Sequence, residues 1–274
     1  YLRAIASDPS NADALLESDK LAEKLGKSAV ERLPLLKKHR ATCEKSDPTM
    51  LRMAYLFNET GDYDEALAIL TGRRFHVWEG GEGLLAPFVD ASLLRGIRYL
   101  KAGQIEKALA DMKNATTYPE NLQAGRPGDA GMAPKAHYFI AQAYKAAGNR
   151  DAYRTELREA LKGWVYAGEM NYWRVRVLRE LGETNGIDEN RAELRKAIVE
   201  LEKPLPKVID AYAKFGGENS PMERAQDREW QIKFLKALLA DIDGRTDEAQ
   251  SLFKEIAAKK PSLVWAGYLE GVAR

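Results

Sequence analysis

Gly61-Asp62-Tyr63-Asp64-Glu65-Ala66-Leu67-Ala68-Ile69-Leu70 is the stretch whose reading decides the fold. It follows a helical run from about Asp47 to Thr60, so its glycine falls between two helices. Glycine is the residue that most readily takes the left-handed turn that ends a helix. The pattern returns as Gly103-Gln104-Ile105-Glu106-Lys107-Ala108-Leu109, as Gly148-Asn149-Arg150-Asp151-Ala152-Tyr153 and as Gly244-Arg245-Thr246-Asp247-Glu248-Ala249. A weaker copy surrounds Leu25-Gly26-Lys27.

Around these glycines the other positions also recur. Ala66, Ala108 and Ala249 follow the turn, then the larger Leu70, Met112, Leu157 and Phe253. Ala54, Gly96, Ala141 and Ala237 precede it, with aromatics at Phe57, Tyr99 and Tyr144. Small side chains let two helices approach where they cross, and larger ones fill the space between neighbouring pairs. Pro119 and Pro261 close two units. These residues resemble the tetratricopeptide repeat, two antiparallel helices in about 34 residues. The resemblance implies an all-α, right-handed superhelix of roughly five to seven helix pairs, a single domain over 1–274 with a concave binding face.

The chain departs from that pattern in stated places. The turn glycines are 35 (26 to 61), 42 (61 to 103) and 45 (103 to 148) residues apart. The excess is expected in longer loops between repeats. Asp19 and Tyr153 stand where small residues are usual. Between Gly148 and Gly244 two irregular units are expected over about 163–230, with Gly182 and Gly216 as turn glycines and a second helix near Glu189–Lys203. Pro204 and Pro206 interrupt it, since proline breaks a helix interior. Leu2–Ala6 reads as the tail of a preceding repeat, so the chain is expected to be the C-terminal fragment of a longer protein. Ser262–Arg274 reads as a terminal capping helix.

Composition fits this class. Of 274 residues, 45% are apolar and 30% charged, too apolar for disorder. The 42 basic and 41 acidic residues balance, which gives no global attraction to nucleic acid or to an anionic membrane. No apolar run approaches the roughly 18 residues of a membrane span. Cys43 is the only cysteine, so neither an intrachain disulfide nor a cysteine zinc site is available. The sequence assigns no compartment: a soluble bacterial protein, cytoplasmic or secreted, fits equally.

Two insertions break the period, and long loops in compact folds tend to carry function. One is Gly72–Gly83, containing Phe75-His76-Val77-Trp78-Glu79-Gly80-Gly81-Glu82-Gly83. The other is Tyr118–Gly128, beginning Tyr118-Pro119-Glu120-Asn121-Leu122 and including Arg126. Together they resemble the C-terminal repeat region of large bacterial proteins that carry an upstream β-sandwich, mutarotase-like domain. That resemblance implies the helical half of a carbohydrate-associated protein, and no activity for this half.

The weak catalytic candidates are Glu79 and Glu82, since two carboxylates at a suitable separation hydrolyse glycosides. The plainer reading is acids near the start of the next helix, where its dipole favours them. Trp78, Asn121 and Arg126 are further binding candidates, with Trp78 as an anchor on a neighbouring domain. The family register places Tyr55, Asn58, Lys135, Tyr138, Gln142 and Lys145 on the inner groove, against the plainer reading of a solvated helix face. The repeated Lys and Asn clamp of chaperone-binding members is missing, which disfavours that partner class. His39, His76 and His137 lack close metal-ligand spacing, and no nucleotide-binding loop is present, so neither metal nor cofactor is expected. Trp164, Tyr166, Tyr172 and Trp173 form an aromatic cluster, at least two of which belong to the core. The functional expectation is a non-catalytic module that binds a partner protein or peptide, or an upstream domain of its own chain. The alternative is a carbohydrate-active segment with loop 72–83 at a sugar site.

Overall fold

A computed structural model describes residues 1–76, 83–117, 119–123, 131–204 and 221–272, by backbone alone at 221–224 and 272. The described residues form fifteen α-helices and one 3-10 turn, with no strand among them. They divide into two compact units, Tyr1–Glu159 and Ala160–Arg274.

The first unit holds α1 (Leu2–Ser7), α2 (Ala12–Lys24), α3 (Ala29–Lys38), α4 (Arg40–Cys43), α5 (Asp47–Thr60), α6 (Tyr63–Gly72), α7 (Leu85–Lys101), α8 (Ile105–Asn114), α9 (Ala133–Ala146) and α10 (Arg150–Glu159). The helix over 47–60 has the bounds its sequence predicts. Its start is set by Ser46, whose Oγ accepts the Thr49 N–H at 3.4 Å, with proline in the first turn. Asn11 caps α2 in the same way, accepting from Ala14 N at 2.9 Å. Glu31 reaches back from α3 to accept from the Ser28 N–H and hydroxyl at 2.9 and 2.8 Å.

One turn recurs through the molecule. The Gly61 N–H donates to Asn58 O and the Asp62 N–H to Phe57 O. The same pair of bonds closes the helices at Gly26, Gly103, Gly148, Gly182 and Gly244. All six glycines are left-handed, with φ between +72° and +78°. This geometry satisfies carbonyls that a helix end otherwise leaves open, and a β-carbon would strain it. Each turn leads into a second helix that packs back on the first: α5 with α6, α7 with α8, α9 with α10. First helices also meet one another, α2 with α5, α5 with α7 and α7 with α9.

Ala54, Ala66, Ala108 and Ala141 are wholly buried, as are Leu70, Met112 and Leu157. At Gly96 an added β-carbon would lie 2.8 Å from Met112 Cγ and 3.2 Å from the Ala108 carbonyl. Glycine gives α7 and α8 their closest approach there, and a larger residue has to move Met112.

The second unit holds α11 (Glu169–Leu181), α12 (Ile187–Glu202), α13 (Pro221–Ile242), α14 (Thr246–Lys259) and α15 (Val264–Val272). Gly182 is the turn glycine expected of it; Gly216 lies outside the described residues. The displaced helix expected near Glu189–Lys203 is α12, and the expected terminal helix is α15. Tyr172 and Trp173 are core residues, and Trp173 meets Trp265 of α15 edge-on at 5.7 Å. The Tyr172 hydroxyl donates to Asp241 at 2.9 Å, and burial pushes its phenol well above the usual range. Ala237, Ala249 and Phe253 are buried where α13 meets α14.

Candidate functional site

Among the described residues singled out from the sequence, Tyr55 and Asn58 lie on α5, and Lys135, Tyr138, Gln142 and Lys145 on α9 of the first unit. Of the loop candidates, Trp78, Glu79, Glu82 and Arg126 lie outside the described residues. Their flanks are described. The Tyr55 hydroxyl donates to the Gly83 carbonyl at 2.8 Å, so α5 holds the end of the 72–83 insertion. Gly83 has φ +105°, and a β-carbon there would sit 2.7 Å from that hydroxyl. The left-handed backbone favours glycine at the last position of the run, and its small size leaves room for the Tyr55 hydroxyl.

Asn121 ties the two insertions together. Its side-chain N–H groups donate to Leu70 O at 2.6 Å and Arg73 O at 2.8 Å, and its backbone carbonyl accepts from Phe75 N at 3.0 Å. It closes carbonyls at the end of α6 and leaves Phe75 and Leu122 buried. The likeness over Phe75–Gly83 and Tyr118–Leu122 thus falls on segments that touch at Phe75 and Asn121. At this position the amide caps the end of α6.

His76 follows, its side chain 88% exposed. Its backbone N–H and Nδ1 lie 2.9 and 3.3 Å from Asp47 Oδ2, and Arg73 pairs with the same carboxylate. Partial burial alone would raise the Asp47 pKa. The hydrogen bonds from His76 and the Arg73 charge outweigh it and hold the group below its usual range.

The six groove positions do not form a single solvated face. Asn58, Lys135 and Tyr138 are interior side chains, Lys135 only 2% exposed. Asn58 donates to Pro87 O at 2.9 Å, and its Oδ1 meets no partner. Lys135 Nζ lies 3.4 Å from Asp90 Oδ1, joining α9 to α7. Tyr138 packs edge-on to Phe139 at 5.3 Å. Gln142 is half-buried, its Nε2 without a hydrogen-bond partner, and Lys145 is exposed, with Nζ 5.4 Å from the Tyr153 ring. At Asn58 and Lys135 the neighbouring first helix α7 lies close enough to cover the position. A charge is kept inside only because another charge faces it.

The most heavily charged interior cluster was signalled only by the misfit of Asp19. Asp19 is buried on α2, 3.2 Å from Arg32 Nη1 of α3, and it also pairs with Arg52 of α5. Arg32 Nη2 reaches Glu59 Oε2 at 3.3 Å, while Arg52 also binds Glu23. Burial raises the pKa of Glu59, with Arg32 opposing. Cys43, wholly buried, has its thiol pushed up to about 11 by desolvation, which removes it as a nucleophile near neutral pH. His137 Nδ1 lies 2.7 Å from Glu156 Oε2, joining α9 to α10.

Among the described residues no group of three or more His, Cys, Asp or Glu side chains is placed to hold a metal ion. No helix among them is long and apolar enough to cross a membrane. No protein-family model matches the sequence.

Proposed function

We propose that this chain is a helical-repeat scaffold of the tetratricopeptide kind, which holds a partner protein or an adjoining domain of its own chain without catalysing a reaction. The observation that carries the reading is the six-fold recurrence of one helix-ending turn, at Gly26, Gly61, Gly103, Gly148, Gly182 and Gly244, with buried small residues beside four of them. A repeated unit of that kind spends its sequence on stacking pairs and leaves an extended surface for a partner. Asn121 and Gly83 support the same view of the insertions: the described ends of both loops are fixed to the helices.

The rival is a sugar site built on Glu79 and Glu82. In the intact protein, glycosidase turnover is measured on a panel of aryl glycosides for the wild type and for Glu79→Gln/Glu82→Gln. The scaffold reading expects neither to exceed the uncatalysed rate, and expects Lys145→Glu to weaken retention of a protein partner identified by cross-linking. Wild-type turnover that the double variant abolishes would overturn it.

A further inference from the structure

Arg150, Arg154 and Arg158 stand two, six and ten residues after the turn glycine Gly148, and all three are exposed on α10. Residues four apart lie on one face of a helix, so the guanidiniums form a single stripe. At about 1.5 Å per residue it runs roughly 12 Å along the helix. Like charges at that spacing weaken a helix. Among the described residues no carboxylate pairs with Arg150 or Arg154. Arginines at the same spacing on α12 are neutralised, with Arg191 and Arg195 lying 2.8 and 3.3 Å from the Asp243 carboxylate.

The other copies of the repeat show what these register positions meet. Two residues after Gly61, the Tyr63 ring lies under Arg98 of α7, 5.4 Å away. Six residues after Gly61, Leu67 is buried. Six residues after Gly244, Gln250 donates Nε2 to the Leu269 carbonyl of α15 at 3.3 Å. Ten residues after Gly103, Lys113 Nζ lies 5.2 Å from the Tyr144 ring of α9. Each of these three contacts reaches the next helix along the chain. The three positions are therefore the seam on which a following helix packs, and on α10 that seam is arginine open to solvent.

We propose that the arginine seam of α10 docks an acidic α-helix of a partner protein. A helix is the shape that the seam receives in the other copies. Carboxylates one turn apart on that helix match the guanidiniums in spacing and in charge, and they relieve the repulsion along the stripe. A continuous polyanion such as a nucleic acid fits less well. Asp151 is exposed one residue on from Arg150, and Glu159 follows Arg158, so an acid stands beside the stripe at each end.

The inference rests on the scaffold reading and gives it a partner class. The probe is a hydrocarbon-stapled helical peptide with glutamates at three successive i, i+4 positions, its binding to the intact protein followed by fluorescence anisotropy at low salt. The expected result is saturable binding that weakens about tenfold for Arg150→Glu/Arg154→Glu. A stapled peptide of the same composition, with its glutamates spread around the helix, should weaken to the same extent. The charge-reversed peptide, carrying lysines at those positions, should bind the double variant and not the wild type. Because both side chains are exposed, the double variant should keep the wild-type circular dichroism. No saturable binding by the glutamate peptide, equal binding of the spread peptide, or no rescue by charge reversal would each overturn the seam. So would a single-stranded oligonucleotide that binds more tightly than the peptide and is lost with the double variant. The scaffold reading survives all of these outcomes and falls on glycoside turnover instead, so the two fail separately.

Discussion

The crossing of α7 on α8 and the packing of α2 on α3 and α5 involve equivalent places in the repeat. At the first, Gly96 stands seven residues before the turn glycine, and Met112 closes over it. The charges there form one chain running outward: Arg95 binds the buried Asp111 with two bonds of 2.6 and 2.7 Å and reaches the exposed Asp64 at 2.8 Å. At the second, the same position is Asp19, and the charges are central. Three carboxylates, Asp19, Glu23 and Glu59, face two guanidiniums, Arg32 and Arg52. The first arrangement gains from close packing. The second is a network in which each member is tolerable only while its partners remain.

That difference predicts unequal responses to single substitutions. Arg32→Met leaves Glu59 buried without its partner and Asp19 with only Arg52. Losing one member of a buried pair costs about 3–5 kcal/mol. The variant should lose that much in urea unfolding followed by helical circular dichroism, with amide exchange locating the loss in α2, α3 and α5. Removing the charges together, as Asp19→Ala/Arg32→Met/Glu59→Gln, should recover most of it, because apolar replacement of a buried ionic group is often neutral or better. If the triple variant were less stable than the single one, the contrast between the two crossings would collapse.

Gly96→Ala sharpens the other side. Its new methyl must displace Met112 and crowd the Ala108 carbonyl, an overpacking cost of about 1–3 kcal/mol. Gly72 at the end of α6 meets nothing within 4 Å and supplies the control. Gly72→Ala should be neutral or stabilising by up to about 1 kcal/mol, since it restricts the unfolded chain. Thermal unfolding of the two variants should move apart, one below and one level with or above the wild type.

How much of this was legible follows from which features are local. The turn at Gly61 needs only the glycine and the helices on either side, so its recurrence could be read off, including the irregular copy at Gly182. The small residues were legible because their spacing from that glycine is fixed. Asn58, Lys135 and Tyr138 were not legible as buried. Whether an inner-helix position is open depends on how closely the next first helix approaches, which neither helix encodes alone. Asp19 announced itself as a misfit, but its partners lie 13 and 33 residues away on other helices, beyond any local pattern. The structural duty of Asn121 was hidden similarly, because it caps a helix about fifty residues earlier in the chain. Asn121→Ala, which opens the Leu70 and Arg73 carbonyls, should cost about 1–2 kcal/mol, read as faster amide exchange in α6 and at Phe75.

The smallest expected effects are those of pH, and the two ends of α5 should respond with opposite signs. Glu59, near its C-terminus, has a pKa raised above the ordinary 4.5 by burial. Its folded form holds a proton that the unfolded form releases. Its contribution is therefore most favourable below about 4.5 and declines as pH rises through the folded-state value. Asp47, at the N-terminus, is lowered from 3.8. Its contribution is full above 3.8 and is lost as pH falls through the folded-state value. Stability measured in urea between pH 3 and pH 8 should show both trends (the range is set by the ordinary carboxylate values). Relative to wild type, Glu59→Gln should gain as pH rises above 4.5. Asp47→Asn should be about 1 kcal/mol less stable at neutral pH, as befits a partly exposed pair, and should converge on the wild type in acid. Parallel profiles for the two variants would mean that burial does not set the sign at Glu59, and the contrast between the buried Glu59 and the more exposed Asp47 would lose its electrostatic basis.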